Sequence, residues 1–338
     1  MEGVLLNALG EQAPNRLSPA RRRLPCSLQA IDQRISFLQA HSIENSTRKG
    51  YRTGAKDYIK FCTQHSIPLD PTPQTLARYI AYTSQFIASA PKYLTGARHF
   101  LTDIYPNFDD NRKSAFVRTT IRGSIKVRGD PIHRKLSLRL SHLLTFHSIA
   151  LHSSATYDDL LLSTILTVAF FACHRIGELV IPNDRSLFDW KKIIKRSSLN
   201  FLLKRASYIL PYHKGDPLYH GTLIMHMDHD AINPVLLLYT YVHQRDLRHG
   251  ARPALFIKED GSLPTRSWFE QKFFSVLPRC DYGGHSARAG GATYYANLGL
   301  SEDVIQAIGR WSSISWKSYI RDNPTIRAEL QLAALRRP

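Results

Sequence analysis

This chain is poor in the residues that cross-link a small protein. Across 338 residues it has four cysteines, at positions 26, 62, 173 and 280. They form no CxxC pair and no zinc spacing, and thiols so far apart give no dense disulfide framework, so a reducing environment is expected. Long apolar runs are also missing. The longest nearly apolar stretch, residues 160–173, is interrupted by Ser163, Thr164 and Thr167. It is too short for an ordinary membrane span and predicts a buried helix, with no membrane partner. The first residues show no secretory signal pattern. Acidic side chains are scarce as well, 27 against 45 lysines and arginines, giving a formal net charge of +18. Such an excess is rarely needed for solubility, whereas each cation that neutralises a phosphate releases condensed counterions, so a polyanion, nucleic acid above all, is the expected partner. The 43% hydrophobic content is that of a globular protein and argues against disorder throughout.

The chain is long enough for two domains, each with its own core. Residues 1–26 carry Pro14, Pro19, Pro25 and Arg21-Arg22-Arg23 without periodicity and read as a flexible basic tail. From Ser27, a plausible N-cap, Leu28, Ile31, Ile35 and Leu38 recur at helical spacing. Similar patterns over 47–65, 73–87, 91–105 and 109–127 predict a compact all-helical domain at 27–128. On it Arg48, Lys49, Arg52, Lys92 and Arg98 are candidate DNA-facing cations, although solvated helix faces carry the same residues. Residues 129–135, with Gly129 and Pro131, read as a linker, and 136–338 as a second domain. There, 136–175 is expected to be helical. Segments 206–212 and 219–227 read as strands joined by Lys214-Gly215-Asp216-Pro217, and helices return from Asp230. The fold class is therefore mainly α with a small β-sheet.

The chemistry is concentrated in a few motifs. An apolar run ends in Cys173-His174-Arg175, with Glu178 placed to pin the guanidinium of Arg175. Lys214 stands at the strand turn, where a cation can reach a leaving oxygen. His285 and Arg288 are one helical turn apart, and Gly309-Arg310-Trp311 and Tyr319 follow. A planar guanidinium can meet two non-bridging phosphate oxygens at once, which is what in-line attack on a phosphodiester requires. A histidine can move a proton and a tyrosine can act as nucleophile. Each residue alone has an ordinary structural explanation; the ordered series does not. His226, Asp228 and His229 also form a metal-like cluster, but no second ligand group accompanies them, and an exposed strand-to-helix turn accounts for them.

In order, Arg175, Lys214, His285-x-x-Arg288, Arg310/Trp311 and Tyr319 resemble the active-site set of the tyrosine recombinases, the family of phage integrases and Cre-type enzymes. Residues 46–128 are similar to the family's helical core-binding domain, and Gly309-Arg310-Trp311-Ser312-Ser313 most resembles fungal Crypton-type recombinases. The resemblance implies a core-binding domain and an α+β catalytic domain closing on DNA as a C-shaped clamp. It implies a transposon-type integrase that cuts and rejoins DNA through a 3′-phosphotyrosyl bond, without ATP, cofactor or metal. Tyr319 would be the nucleophile, Arg175 and Arg288 the phosphate ligands, Lys214 the acid and His285 the proton handler. A homo-tetramer on paired sites is implied. Residues 324–338, with Leu330, Leu332 and Leu335, would dock on a neighbour or fold back as a helix. A nuclear location would apply in a eukaryote, the cytoplasm or nucleoid otherwise. One departure stands out: the family places histidine or tryptophan about nine residues before the nucleophile, whereas here Arg310 is nine before Tyr319 and Trp311 eight. Trp311 is the expected occupant, since an indole both packs and donates one N–H. A type IB topoisomerase and a non-cleaving DNA-binding derivative are the alternatives.

Overall fold

The computed structural model describes residues 26–128, 134–317, 319, 328 and 332. The Arg21-Arg22-Arg23 tail, most of the linker and nearly all of 324–338 lie outside these residues. The chain divides at Gly129/Asp130 into two compact units.

The first unit is all helical: α1 (Leu28–Ala40), α2 (Asn45–Gln64), α3 (Pro73–Thr83), α4 (Ala90–Leu101), α5 (Phe108–Lys113) and α6 (Ala115–Val127). Ser27 caps α1, its Oγ accepting from Ala30 N at 3.2 Å. Contrary to the expected compact unit, Leu28, Ile31, Ile35 and Leu38 are all exposed, so α1 adds nothing to the core. Helices α2 and α4 cross at a reciprocal pair of glycines. A Cβ on Gly54 would lie 2.4 Å from Tyr93 O, and one on Gly96 would lie 2.5 Å from Tyr51 O. That close approach buries Tyr58, Leu76, Tyr79, Ile80, Leu94 and Phe108 in one core. The single helix expected over 109–127 is broken at Ser114, whose Oγ accepts from Val117 N and so starts α6 afresh.

The second unit holds α7 (Leu140–Leu151), α8 (Tyr157–Phe171), a three-stranded antiparallel sheet of β1 (Asn200–Leu202), β2 (Arg205–Leu210) and β3 (Thr222–Met227), then α9 (Pro234–His249), α10 (Arg266–Phe274), α11 (Ser286–Asn297) and α12 (Glu302–Gly309). The helix expected over 136–175 is two helices, because Thr156 and Asp159 form a reciprocal capping box that restarts the chain. From Leu160 to Phe171 every side chain of α8 is buried, and α7, α9, α10 and α11 all pack on it. Strand β1 was not anticipated; its three residues are too few for a period-two pattern to register. In β2 and β3 the alternation turns Ala206, Tyr208, Leu210, Ile224 and His226 inward, with Tyr208 opposite Ile224 and Ala206 opposite His226. No helix among the described residues is long and apolar enough to cross a membrane.

Candidate active site

The site forms where the chain leaves α8, at the N-terminus of α11 and after α12. Arg175 does not close the helix, as the sequence suggested. α8 ends at Phe171, and Cys173 takes a left-handed backbone conformation (φ 48°) that turns the chain. That conformation costs a non-glycine residue about 1–2 kcal/mol, and neighbouring contacts hold it. Arg288 Nη1 donates to Cys173 O, and Arg310 Nη1 donates to Ala172 O at 3.0 Å. Arg175 then opens the short 3₁₀ turn Ile176–Glu178.

Glu178 is the centre of the site's charge balance. Its carboxylate accepts from Arg175 Nη1 at 3.1 Å, from Arg310 Nη2 at 3.1 Å and from His174 Nδ1 at 2.8 Å. These partners hold the carboxyl well below the usual carboxylate range despite its burial. Burial, with Arg310 nearby, lowers His174 to about 4, so the ring is neutral at pH 7. Its Nδ1–H therefore donates to Glu178, leaving Nε2 to accept from Tyr208 O–H at 2.7 Å. His226 Nε2 lies 3.4 Å from the same hydroxyl oxygen, and burial lowers this ring to about 3. His226 is thus not part of an exposed turn but an inward-facing residue of β3, behind Glu178. His229 stacks on Phe171 at 4.2 Å.

Two glycines allow α11 to dock against the end of α8. A Cβ on Gly290 would meet Leu138 O at 2.4 Å, and one on Gly291 would meet Phe170 O at 2.0 Å. Docking carries Arg288 into the interior, where it is 0% exposed. Its Nη1 binds Cys173 O and its Nη2 binds Gly309 O at 2.6 Å, while Nε is buried without a partner. In this conformation Arg288 clips three segments together and does not present a fork to solvent, the arrangement the sequence had suggested. Burial and the neighbouring Arg175 lower it to about 10. His285, at the N-cap of α11, is exposed. Desolvation, followed by Arg175, Arg266 and Arg288, lowers its pKa and keeps the ring neutral and able to accept a proton.

After α12 the chain turns through Arg310, which is left-handed (φ 56°) at the helix C-cap, a place usually given to glycine. Arg310 turns back under the site to Glu178, and its side chain is 7% exposed. Trp311 faces the other way. The Arg288 guanidinium sits 4.1 Å above its ring centroid, and the Tyr319 ring lies 6.2 Å away. Gly309 must lack a side chain, since a Cβ there would fall 1.4 Å from the indole. Trp311, Trp316, Ile305, Ala292 and Cys173 form a small core against which Tyr319 packs, and an ion pair between Lys317 and Glu302 ties the segment to α12. Trp311 therefore stands with Tyr319 and Arg288, and Arg310 with Glu178. Lys214 is exposed in the β2–β3 connection. A Cβ on the next residue, Gly215, would lie 3.8 Å from Arg310 O, so the turn rests against the same segment.

Sequence reasoning missed His174, Tyr208, Arg266 and the partnership of Arg310 with Glu178. Only His174 carried a signal, being four residues before Glu178. In the first unit, Lys49, Arg52 and Lys92 are exposed and Arg48 is half-buried. Lys56 and Lys60 extend the basic row along α2. Arg98, also half-buried, is held by Asp109 in a bidentate pair, both bonds 2.5 Å.

This architecture is the tyrosine-recombinase fold. The chain is similar to the Tn1549 transposon integrase in complex with transposon right end DNA, with a TM-score of 0.56 at 13% identity over 90% of this chain and 98% of that one. It is similar to the XerH site-specific recombinase in a post-cleavage complex with palindromic difH substrate, with a TM-score of 0.55 at 14% identity over 86% and 80%. A lambda integrase dimer bound to a COC′ core site gives 0.50 at 13% identity over 88% and 97%. No protein-family model and no curated protein matches the sequence.

Proposed function

We propose that the chain is a site-specific DNA recombinase of the transposon-integrase kind, cutting and rejoining duplex DNA through Tyr319. The observation that carries this reading is the placement of Tyr319 against Trp311, itself stacked on Arg288, in a fold shared with site-specific recombinases. Tyr319 Oη attacks phosphorus, forming the phosphotyrosyl bond as the P–O5′ bond breaks. The phenol proton passes to neutral His285, and Lys214 protonates the departing 5′-oxygen. Arg175, whose Nη2 has no acceptor among the described residues, takes a non-bridging oxygen, a type of contribution worth roughly 3–4 kcal/mol at the transition state. Glu178 aims Arg175 and neutralises Arg310. The bond energy is retained in the phosphotyrosyl link, so a 5′-hydroxyl from another strand reverses the step without ATP. No cofactor enters this scheme.

The wider reading has both units binding the duplex, with Arg48, Lys49, Arg52 and Lys92 on its backbone, four copies on paired sites, and residues 324–338 reaching a neighbour. A Crypton-like subgroup rests on the Gly309–Ser313 wording alone, and a nuclear location on that subgroup. A nicked suicide duplex carrying the protein's binding-selected site should trap a protease-sensitive adduct that Tyr319→Phe abolishes. An undiminished adduct in that variant removes Tyr319 from the role. The enclosure of Arg288, with both Nη groups on carbonyls, favours a second reading, a DNA-binding derivative that no longer cleaves. Tight, specific binding with no adduct from the wild type would establish it.

A further inference from the structure

Around His285 the arginines differ in what they have left to offer. Arg288 has spent both Nη groups on backbone carbonyls, and Arg310 has spent its own on Ala172, Ile308 and Glu178. Arg266 is the reverse case. It is the first residue of α10, and its Nε donates to Glu270 Oε1 at 2.7 Å. Both of its Nη groups have no acceptor among the described residues. The guanidinium lies directly on Gly284, where a Cβ would come within 2.2 Å of Nη2, so the open fork stands beside the residue preceding His285.

The mount is rigid. Arg266 N donates to Ile181 O at 2.9 Å, and Ser267 N donates to Asn183 Oδ1 at 2.8 Å, fixing α10 to the segment that follows Arg175 and Glu178. Trp268 Nε1 bonds Asp158 at 3.2 Å and Lys272 pairs with Asp159 at 2.7 Å, fixing it also to the start of α8. The Arg266 side chain is 37% exposed. A guanidinium held by Nε on a part-exposed side chain, with two parallel Nη donors that have no acceptor among the described residues, has the geometry for a bidentate bond to a phosphate. A plain loop brace would turn its donors onto backbone carbonyls, as Arg288 does.

We propose that Arg266, braced by Glu270, is a DNA phosphate-binding residue at the edge of the site, holding the phosphate next to the one that Arg175 and Tyr319 address. The assignment rests on the DNA-recombinase reading, and it gives that site a second, non-reacting phosphate as a fixed point. Holding the neighbouring phosphate fixes the strand's path, so the reacting phosphorus arrives in line with Tyr319.

The test uses the full chain and a 40-bp duplex selected from a random pool by the wild-type protein, prepared with a single neutral methylphosphonate at each position in turn. Arg266→Ala is expected to bind on the order of tenfold more weakly, with its log K against log salt slope shallower by about 0.9. Arg266→Lys should restore the slope. Methylphosphonate sensitivity should vanish in Arg266→Ala at one phosphate, immediately beside the phosphate where Arg175→Ala loses it. Should Arg266→Ala fail to fold by circular dichroism, Arg266→Gln carries the same comparison. An unchanged slope and an unchanged sensitivity pattern overturn the assignment, and so does loss at the same phosphate as Arg175→Ala. Wild-type protein that selects no duplex sinks the recombinase reading itself, and this assignment with it.

Discussion

Replacing Glu178 by alanine should destabilise the second unit by about 3–5 kcal/mol, the usual cost of removing one partner from a buried ion pair. The structure places the loss mainly on Arg310. That side chain is 7% exposed, Glu178 is 6% exposed, and no other carboxylate among the described residues pairs with Arg310. Arg175, 28% exposed, can rehydrate and adds little. His174 loses the acceptor of its Nδ1–H, which pushes the cost toward the upper end of the range. All four tryptophans, Trp190, Trp268, Trp311 and Trp316, belong to the second unit, so urea unfolding followed by tryptophan fluorescence reports that unit alone. With a urea m-value of roughly 2–3 kcal/mol/M, the midpoint should fall by about 1–2.5 M. Adding Arg310→Met to Glu178→Ala removes the stranded charge and should recover part of the loss. A midpoint shift below about 0.3 M for Glu178→Ala, or a double variant weaker than the single by the full cost of a second lesion, would refute the view of Glu178 as the buried counter-charge.

Acid should weaken the same unit early. His174 and His226 have folded pKa values of about 4 and about 3, below the unfolded value near 6.5, so the folded state binds fewer protons and stability falls as pH drops from 6.5. Glu178, also depressed, adds to the loss through the carboxylate range. The slope near pH 5 should approach roughly 2–3 kcal/mol per pH unit for two histidines, and His226→Phe should remove about half of it in urea titrations at pH 7, 6 and 5. Gly309→Ala should displace the Trp311 indole, seen as a changed near-ultraviolet dichroism and about 1–3 kcal/mol of lost stability; an unaltered spectrum would contradict the packing described. Arg175→Ala and Arg288→Ala should both lose cleavage, but only Arg288→Ala should clearly lower the stability read from urea unfolding, by more than about 2 kcal/mol, because it alone abandons two buried carbonyls. Equal midpoints for the two would refute the clip.

Periodicity made most of the helices legible, because one apolar face per helix is a repeating constraint that a sequence must satisfy. It failed where a local device overrode the period. Ser114 and the Thr156–Asp159 box each cut a continuous apolar pattern in two with a few side-chain hydrogen bonds. It failed also at α1, where a regular stripe of Leu28, Ile31, Ile35 and Leu38 faces solvent, since a pattern announces an apolar face but not what covers it. The candidate site is readable in the sequence only as an ordered series of residue types, with one residue of ambiguity before Tyr319. The indole was the expected neighbour of Tyr319 and stands there, whereas the reach of Arg310 to Glu178 was not legible. Arg310 and Trp311 are adjacent, and only the left-handed turn at Arg310 sends one to Glu178 and the other to Tyr319.

The arginines show why the remainder was hidden. Arg245 and Arg288 are both fully buried, and both spend their terminal nitrogens on backbone carbonyls, Arg245 reaching Gly250 O at 2.7 Å and Ala254 O at 2.8 Å. The order of residues marked Arg288 as a site candidate, but nothing in it showed that Arg288, like Arg245, spends its terminal nitrogens on carbonyls. Arg266, open at its fork, had no motif at all. A guanidinium's role is decided by which of its five donors are already satisfied, and that depends on carbonyls contributed by segments distant in the chain: Cys173 and Gly309 for Arg288, none among the described residues for the Nη groups of Arg266. Sequence spacing sets which arginines can reach the site. The carbonyls around them set which one still has hydrogen-bonding capacity for a phosphate.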